Sequence, residues 1–248
     1  MLTTAVTSNQ FASVSAANFS GTELARESIV AGFGVNLATD IEVAVTVPLP
    51  TTLGGTTVKI IDSTATERLA PLFFVSPTQI NYQIPASAAS GPATAVVMSG
   101  NEAISVGMLQ IVSVAPSIFT ADATGQGLAV GEALRVKANG LSITTPLTRF
   151  DSAIGKVVAV PIDLGEETDQ VFVILYGTGI RLRSSMEMVS SKIGSVTSLV
   201  FFAGAQGGFV GLDQINLGVL RSLAGRGEVD VELSADGKAA NKVRISIK

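Results

Sequence analysis

Ten residues, Ser76-Pro77-Thr78-Gln79-Ile80-Asn81-Tyr82-Gln83-Ile84-Pro85, constrain this chain more than any other stretch, because their centre returns as Gly211-Leu212-Asp213-Gln214-Ile215-Asn216-Leu217-Gly218-Val219. Side chains alternate faces along a strand. Ile80, Tyr82 and Ile84 therefore form one apolar stripe and Ile215, Leu217 and Val219 its copy, while Gln79 and Asn81, like Gln214 and Asn216, share the opposite face. Other segments repeat at nearly the same interval. Gly91 to Val97 matches Gly227 to Leu233, and a run closing on Gly32-x-Gly34 matches Val171 to Tyr176 closing on Gly177-x-Gly179. A near-constant offset reads as internal duplication, with too few copies for a solenoid.

Between these landmarks lie Thr56 to Ile61, Leu72 to Val75, Ala93 to Met98 and Ala103 to Val114, each apolar or β-branched and bounded by turn residues. Short strands at such spacing predict a β-sandwich. Ala115-Pro116 opens a second unit whose Gly127 to Asp163 stretch has no evident counterpart and reads as extra hairpins. Residues 1–20 read as loosely held, and helix is considered only at Thr22 to Ser28 and Arg181 to Val189. The expected fold is all-β, two tandem immunoglobulin-like β-sandwiches related by internal duplication, residues 1–114 and 115–248. Phe73, Val75, Ile80, Tyr82, Val171, Val173, Leu175, Ile215 and Leu217 are expected to fill the two cores.

The mean hydropathy of +0.49 would suit a membrane protein. The apolar runs are short, however, and a spanning helix needs about 20 residues, so the hydrophobicity is assigned to strand interiors and no membrane span is expected. Histidine and cysteine are absent. Their absence excludes the usual zinc ligands, thiol nucleophiles and Ser-His catalysis. No Gly-x-Ser-x-Gly elbow is present, and Ser190-Ser191-Lys192 and Ser152-x-x-x-Lys156 are chance-level pairings in a Ser-rich chain, so no enzyme and no catalytic residue is expected. Net charge is −4, and no basic cluster exceeds Arg181-Leu182-Arg183, which argues against a nucleic acid partner. Met1-Leu2-Thr3-Thr4-Ala5 carries no export signal, which leaves a cytosolic protein or the mature part of a longer precursor.

Several segments resemble a known family: Ser15-Ala16-Ala17-Asn18-Phe19, Leu49-Pro50-Thr51-Thr52-Leu53-Gly54-Gly55, Ser76 to Asn81, Ala115-Pro116-Ser117-Ile118-Phe119-Thr120, Leu175-Tyr176-Gly177-Thr178-Gly179 and Gly211 to Asn216. They span nearly the whole chain in order. The family is the Solibacter-type uncharacterised C-terminal domain, found at the end of large exported proteins of acidobacteria and related bacteria. The resemblance implies an extracellular or envelope-associated module of two immunoglobulin-like units, similar to the IPT/TIG type, with no established activity. Arg181 stands where the family usually has glycine, so the loop there is expected to differ.

Gln79, Asn81, Gln214 and Asn216 are the candidate binding residues, since paired amides on one strand face can hydrogen-bond a sugar or a peptide backbone. The alternative is structural, with each amide tying a neighbouring loop to the sheet. The Gly-x-Gly turns lack the third glycine of a dinucleotide fingerprint and are read as tight turns using positive φ. Asp163, Glu166, Glu167 and Asp169, and the looser Asp122-x-x-Gly125-x-Gly127, match no calcium loop, so they are read as solvated charge. No cofactor and no metal site is assigned, with Ca²⁺ as the one cation such loops would suit. The expected function is a non-catalytic extracellular structural or adhesion module, its partner a cell-surface or matrix protein or polysaccharide. The alternative is a carbohydrate-binding module, which the absence of tryptophan and the presence of only Tyr82 and Tyr176 count against.

Overall fold

A computed structural model gives the fold of residues 9–248; the reading of Met1 to Ala5 lies outside the described residues. The chain forms two compact units, one from the segment up to Ala16 with Ser20–Ser113, the other from Ala17–Phe19 with Val114–Lys248. The first contains β1 (Asn9–Gln10), β2 (Ala12–Ser15), β3 (Glu23–Ala25), β4 (Ile29–Phe33), β5 (Glu42–Val43), β6 (Thr56–Ile61), β7 (Glu67–Leu69), β8 (Leu72–Val75), β9 (Gln79–Gln83), β10 (Gly91–Ser99) and β11 (Glu102–Val112). They build two sheets, ordered β1-β11-β10-β6-β7 and β2-β4-β9-β8-β5, with β3 also on β11. Val58, Ile60, Val97 and Ile111 of one sheet share a core with Val30, Leu72, Ile80 and Tyr82 of the other, so the unit is a β-sandwich.

The second unit contains β12 (Ser117–Ile118), β13 (Gly127–Leu128), β14 (Gly131–Val136), β15 (Ser142–Pro146), β16 (Thr148–Asp151), β17 (Lys156–Ala159), β18 (Gln170–Thr178), β19 (Val189–Ile193), β20 (Val196–Ser198), β21 (Val200–Ala205), β22 (Asp213–Gly218), β23 (Gly227–Ala235), β24 (Lys238–Ala239) and β25 (Val243–Ile247). Its sheets run β15-β14-β18-β22-β21, with β12 on β18, and β13-β25-β23-β19-β20, with β24 on β23. Strand pairings recur between the copies. The ladder β4-β9-β8 corresponds to β18-β22-β21, β7-β6-β10-β11 to β20-β19-β23-β25, and the parallel pairing of β1 on β11 to that of β13 on β25. This is the order of an immunoglobulin-like sandwich, present twice.

The repeat corrects several expectations. β13 and β14 occupy the places of β1 and β2, so the unmatched stretch of the second copy is confined to β15, the β16–β17 hairpin and their connections. Residues 9–15 are strands with Phe11 buried between them, and not a loose lead-in. Thr22 to Ser28 carries β3, and residues 181–188 are turn and coil; the short turn Arg221–Leu223 is the sole helical element among the described residues. Of the nine expected core residues, eight are buried and Phe73 is half-exposed. Each fully buried aliphatic or aromatic side chain stabilises its unit by about 1.5–3 kcal/mol.

The paired glycines also differ from their expected role. Phe33 lies opposite Gln79 and Tyr176 opposite Gln214, so Gly34 corresponds to Gly177 and Gly32 to Leu175. Gly32, Gly34 and Gly177 do not use positive φ; only Gly179 does, at 80°. Gly34 and Gly177 lie under a preceding segment: a Cβ at 34 would meet the Leu37 side chain at 2.8 Å and the Gln10 carbonyl at 3.0 Å, and one at 177 would overlap the Ser117 carbonyl.

In the first unit a buried carboxylate ties two loops together, the turn of residues 62–66 and the connection between β9 and β10. Asp62 accepts hydrogen bonds from the backbone N–H groups of Ala89, Thr64 and Thr66 and from the Thr64 hydroxyl, and it pairs with Arg68. The Ala89 N–H, then the Thr64 hydroxyl, hold this carboxyl well below the usual carboxylate range. A depressed folded-state pKa contributes stability that is complete above the unfolded value of about 3.9 and is lost as pH falls through the folded value. Wild-type stability is therefore expected to fall more steeply below about pH 4 than that of Asp62→Asn. The Asn variant should be weaker at pH 7, and urea unfolding of both proteins across pH 7 to 2.5 measures the difference. Parallel curves would show that Asp62 contributes nothing to the acid limb.

Candidate functional site

On both amide strands the apolar stripe faces the core and the amides face outward. The two amides of each copy are bonded to each other. Gln79 Nε2 donates to Asn81 Oδ1 at 2.8 Å, and Gln214 Nε2 donates to Asn216 Oδ1 at 2.8 Å. Residues just ahead of each pair tie the adjoining loops. Ser76 Oγ accepts from Gln79 N at 2.9 Å and donates to Gln79 O at 3.0 Å, closing the proline-containing turn. In the second copy Asp213 holds the loop after β18, accepting from Ile180 N at 2.7 Å and from Arg181 Nε at 2.7 Å. One bond within each pair leaves the glutamine oxygen as an acceptor and the asparagine NH₂ as a donor. The pair thus presents both polarities side by side.

Aromatic side chains flank the pairs in the same way in both copies. Phe33 and Tyr176 stand opposite the glutamines, and Phe74 and Phe202 stand opposite the asparagines. A β-bulge accompanies each, between Leu72 and Phe74 and between Val200 and Phe202. A bulge suspends the alternation of faces, which lets the adjacent residues of Phe73-Phe74 and of Phe201-Phe202 both stay out of the core. The surroundings then diverge. In the first unit β5 pairs beyond β8 and both phenylalanines are half-buried. In the second unit β21 is the sheet edge, and Phe201 and Phe202 are 57% and 37% exposed.

The outward face of the second unit is consequently a three-rung surface, Phe172–Gly218–Phe201, Ile174–Asn216–Phe202 and Tyr176–Gln214–Gly204. Phe201 leans across Gly218, where a Cβ would meet its ring at 3.0 Å, and sits edge-on to Phe172 with centroids 5.1 Å apart. Two-residue steps of about 6.8 Å make the surface about 14 Å long. An open groove of about 360 Å³ continues it past Phe172 and Phe201 toward Leu199, Leu220 and Glu167. Arg221, at the groove's far wall, donates to the carbonyls of Leu164, Gly165, Glu167 and Asp169 and so fastens that loop. At the other border the Tyr176 hydroxyl reaches Glu132 at 3.5 Å, and burial followed by that carboxylate raises its pKa.

Tyr82, by contrast, is fully buried, stacked on Phe11 and bonded through its hydroxyl to Ser13 Oγ at 2.8 Å. It is a core residue and no part of a surface. The rings of this face are mostly phenylalanines, and recurrence of an adjacent Phe-Phe pair ahead of each Gln-Ile-Asn is the sequence signal that marks them. A larger groove, about 430 Å³, lies on the opposite sheet among Ser190, Lys192, Glu232 and Lys242. It has no aromatic lining, and Lys242 is spent on Glu232 at 2.8 Å and Asp230 at 3.3 Å. Among the described residues no three Asp or Glu side chains gather as metal ligands. Asp163 and Asp169 face Arg135, and Asp122 closes a turn on Thr124.

No family model matches the chain, and no curated protein matches it. Among solved structures it is similar to the BSP domain of a biofilm associated protein, at 15% identity and a TM-score of 0.31, over 97% of this chain and 29% of that one. It is also similar to SGBP-B of the Bacteroides ovatus mixed-linkage glucan utilization locus, solved with a mixed-linkage heptasaccharide, at 11% identity and a TM-score of 0.34, over 92% of this chain and 43% of that one. The chain spans less than half the length of either.

Proposed function

We propose that the chain is a non-catalytic adhesion module of an extracellular or cell-envelope protein, and that it holds a polysaccharide on the outward β18-β22-β21 face of its second unit. One observation carries this reading. The Gln214–Asn216 pair, with its outward acceptor and donors, lies between half-buried Tyr176 and exposed Phe202 on an uncovered sheet edge. Sugars offer vicinal hydroxyls, each both donor and acceptor, and apolar C–H faces; side-chain amides answer the first and rings the second. A chain without His or Cys lacks the common nucleophile-base pairs, which supports a binding role over turnover. The resemblance to the Solibacter-type family agrees with an exported setting and belongs to the same proposal.

The test is a polysaccharide panel on the whole chain. Saturable binding is expected, weakened about 5- to 20-fold by Gln214→Ala or Asn216→Ala, roughly the worth of one or two neutral hydrogen bonds. The matching changes Gln79→Ala and Asn81→Ala, on the copy where β5 takes the sheet edge and the phenylalanines are half-buried, should leave affinity unchanged. If no polymer binds, the module is a spacer and the amide pairs serve the fold alone.

A further inference from the structure

The Arg181-Leu182-Arg183 cluster divides into two unlike halves. Arg181 is spent: its Nε donates to Asp213 and its Nη2 donates to Leu212 O at 2.9 Å. Arg183 has neither an ion pair nor a side-chain hydrogen bond among the described residues, and its Nε is buried without a partner. Only Arg26 Nε, of those residues, shares that condition. The position of Arg183 is informative. A Cβ built on Gly204 would lie 3.4 Å from Arg183 Nη1 and 3.4 Å from Phe202 Cζ, and Gly204 stands directly opposite Gln214. The guanidinium therefore hangs over the Gly204 rung, beside the Phe202 ring and the amide pair. Gly204 is buried although it points outward, because these two side chains close over it.

We infer that this face selects an acidic glycan, a polymer of uronate-bearing sugars, with Arg183 receiving the carboxylate. The inference rests on the polysaccharide reading above and adds the ligand's charge and the residue that reads it. Nε is the one nitrogen of this guanidinium that is buried without a partner, so the two Nη groups are the donors left for a ligand, and planar pairing with a carboxylate is what a guanidinium does best. The loop braced by Asp213 fixes the backbone two residues away, and Arg183 N donates to Ile180 O at 3.0 Å, so the side chain starts from an ordered position. The carboxylate of Glu132 lies across the sheet beside Tyr176, beyond β22 from Gly204, which gives the face one basic and one acidic end and a direction. The protein's net charge of −4 opposes non-specific capture of a polyanion, so uptake of one must come from a local site.

Affinity for polygalacturonate, alginate and hyaluronate is measured at fixed ionic strength beside fully methyl-esterified polygalacturonate and neutral galactan, with wild type and Arg183→Gln. At least one acidic polymer is expected to bind, and Arg183→Gln is expected to weaken it about tenfold or more with an unchanged unfolding midpoint. If polygalacturonate is the one bound, esterification should weaken it to a similar extent. Equal binding of acidic and neutral polymers, or indifference to Arg183→Gln, would overturn the uronate assignment and leave the polysaccharide reading in place. Binding of neutral polymers alone has the same meaning, whereas absence of binding to every polymer would overturn both.

Discussion

Replacing Asp213 with alanine is expected to destabilise the second unit by about 3–5 kcal/mol, the usual cost of removing one partner of a buried ion pair. The carboxylate is fully buried and accepts from Ile180 N at 2.7 Å, Arg181 N at 3.3 Å and Arg181 Nε at 2.7 Å; through the same guanidinium it places Nη2 on Leu212 O. Alanine would take away the acceptor of two backbone donors and the carboxylate facing a largely buried guanidinium, and each buried donor left unpaired costs about 1–3 kcal/mol. Asparagine keeps an acceptor and loses the charge, so Asp213→Asn should fall between wild type and alanine. The first copy carries Thr78 at the corresponding place, one residue before Gln79, and owes nothing to this brace. Denaturant unfolding should therefore show the second unit's transition shifted and the first unit's unmoved. Equal stability of Asp213→Ala and wild type would mean that the loop holds itself. Because the brace also sets the start of the Arg183 segment, Asp213→Ala is expected to weaken glycan capture even under conditions where the unit remains folded.

What can be read from the residues is governed by period. A strict alternation places Ile80, Tyr82, Ile215 and Leu217 inside and the four amides outside, and the burial of every one of them follows that pattern. Where the backbone departs from regular pleat, the same rule misleads. Alternation with Val75 puts Phe73 in the core, yet the bulge before Phe74 turns it outward. The equivalent bulge in β21 frees Phe201 and Phe202 together, and no local residue pattern announces a bulge in so apolar a strand. The glycines mislead for another reason. Gly34 and Gly177 answer to segments far away in sequence, Gln10 and Ser117, so their smallness records a crossing and not a turn. Arg181 stands out in the sequence only by comparison with the family it resembles, and its partner Asp213 sits 32 residues on and becomes visible only when β18 and β22 are paired.

Phe201 and Phe202 are the exposed rings of the β18-β22-β21 face. Phe201→Ala with Phe202→Ala is expected to weaken polysaccharide binding roughly 30-fold or more, from about 1 kcal/mol per ring lost as a platform. Stability should change less than for a core pair, since Phe201 and Phe202 already expose 57% and 37% of their surface, and what is given up is the edge contact of Phe201 with Phe172 and the packing of the two rings over Gly218 and Gly204. The duplication supplies the control. Phe73 and Phe74 occupy the equivalent bulge beside the equivalent amide pair, but they are half-buried on a strand with β5 paired beyond it. Phe73→Ala with Phe74→Ala should therefore do the reverse, lowering the first unit's stability by about 2 kcal/mol or more while leaving glycan affinity intact. Crossed outcomes of this kind separate recognition from folding, because both pairs are adjacent phenylalanines at an equivalent bulge and differ in burial and in whether their strand is the sheet edge. If both double variants lose stability and neither alters binding, the rings of β21 are packing residues at a sheet edge, and the polymer, where one binds, is held elsewhere on the chain.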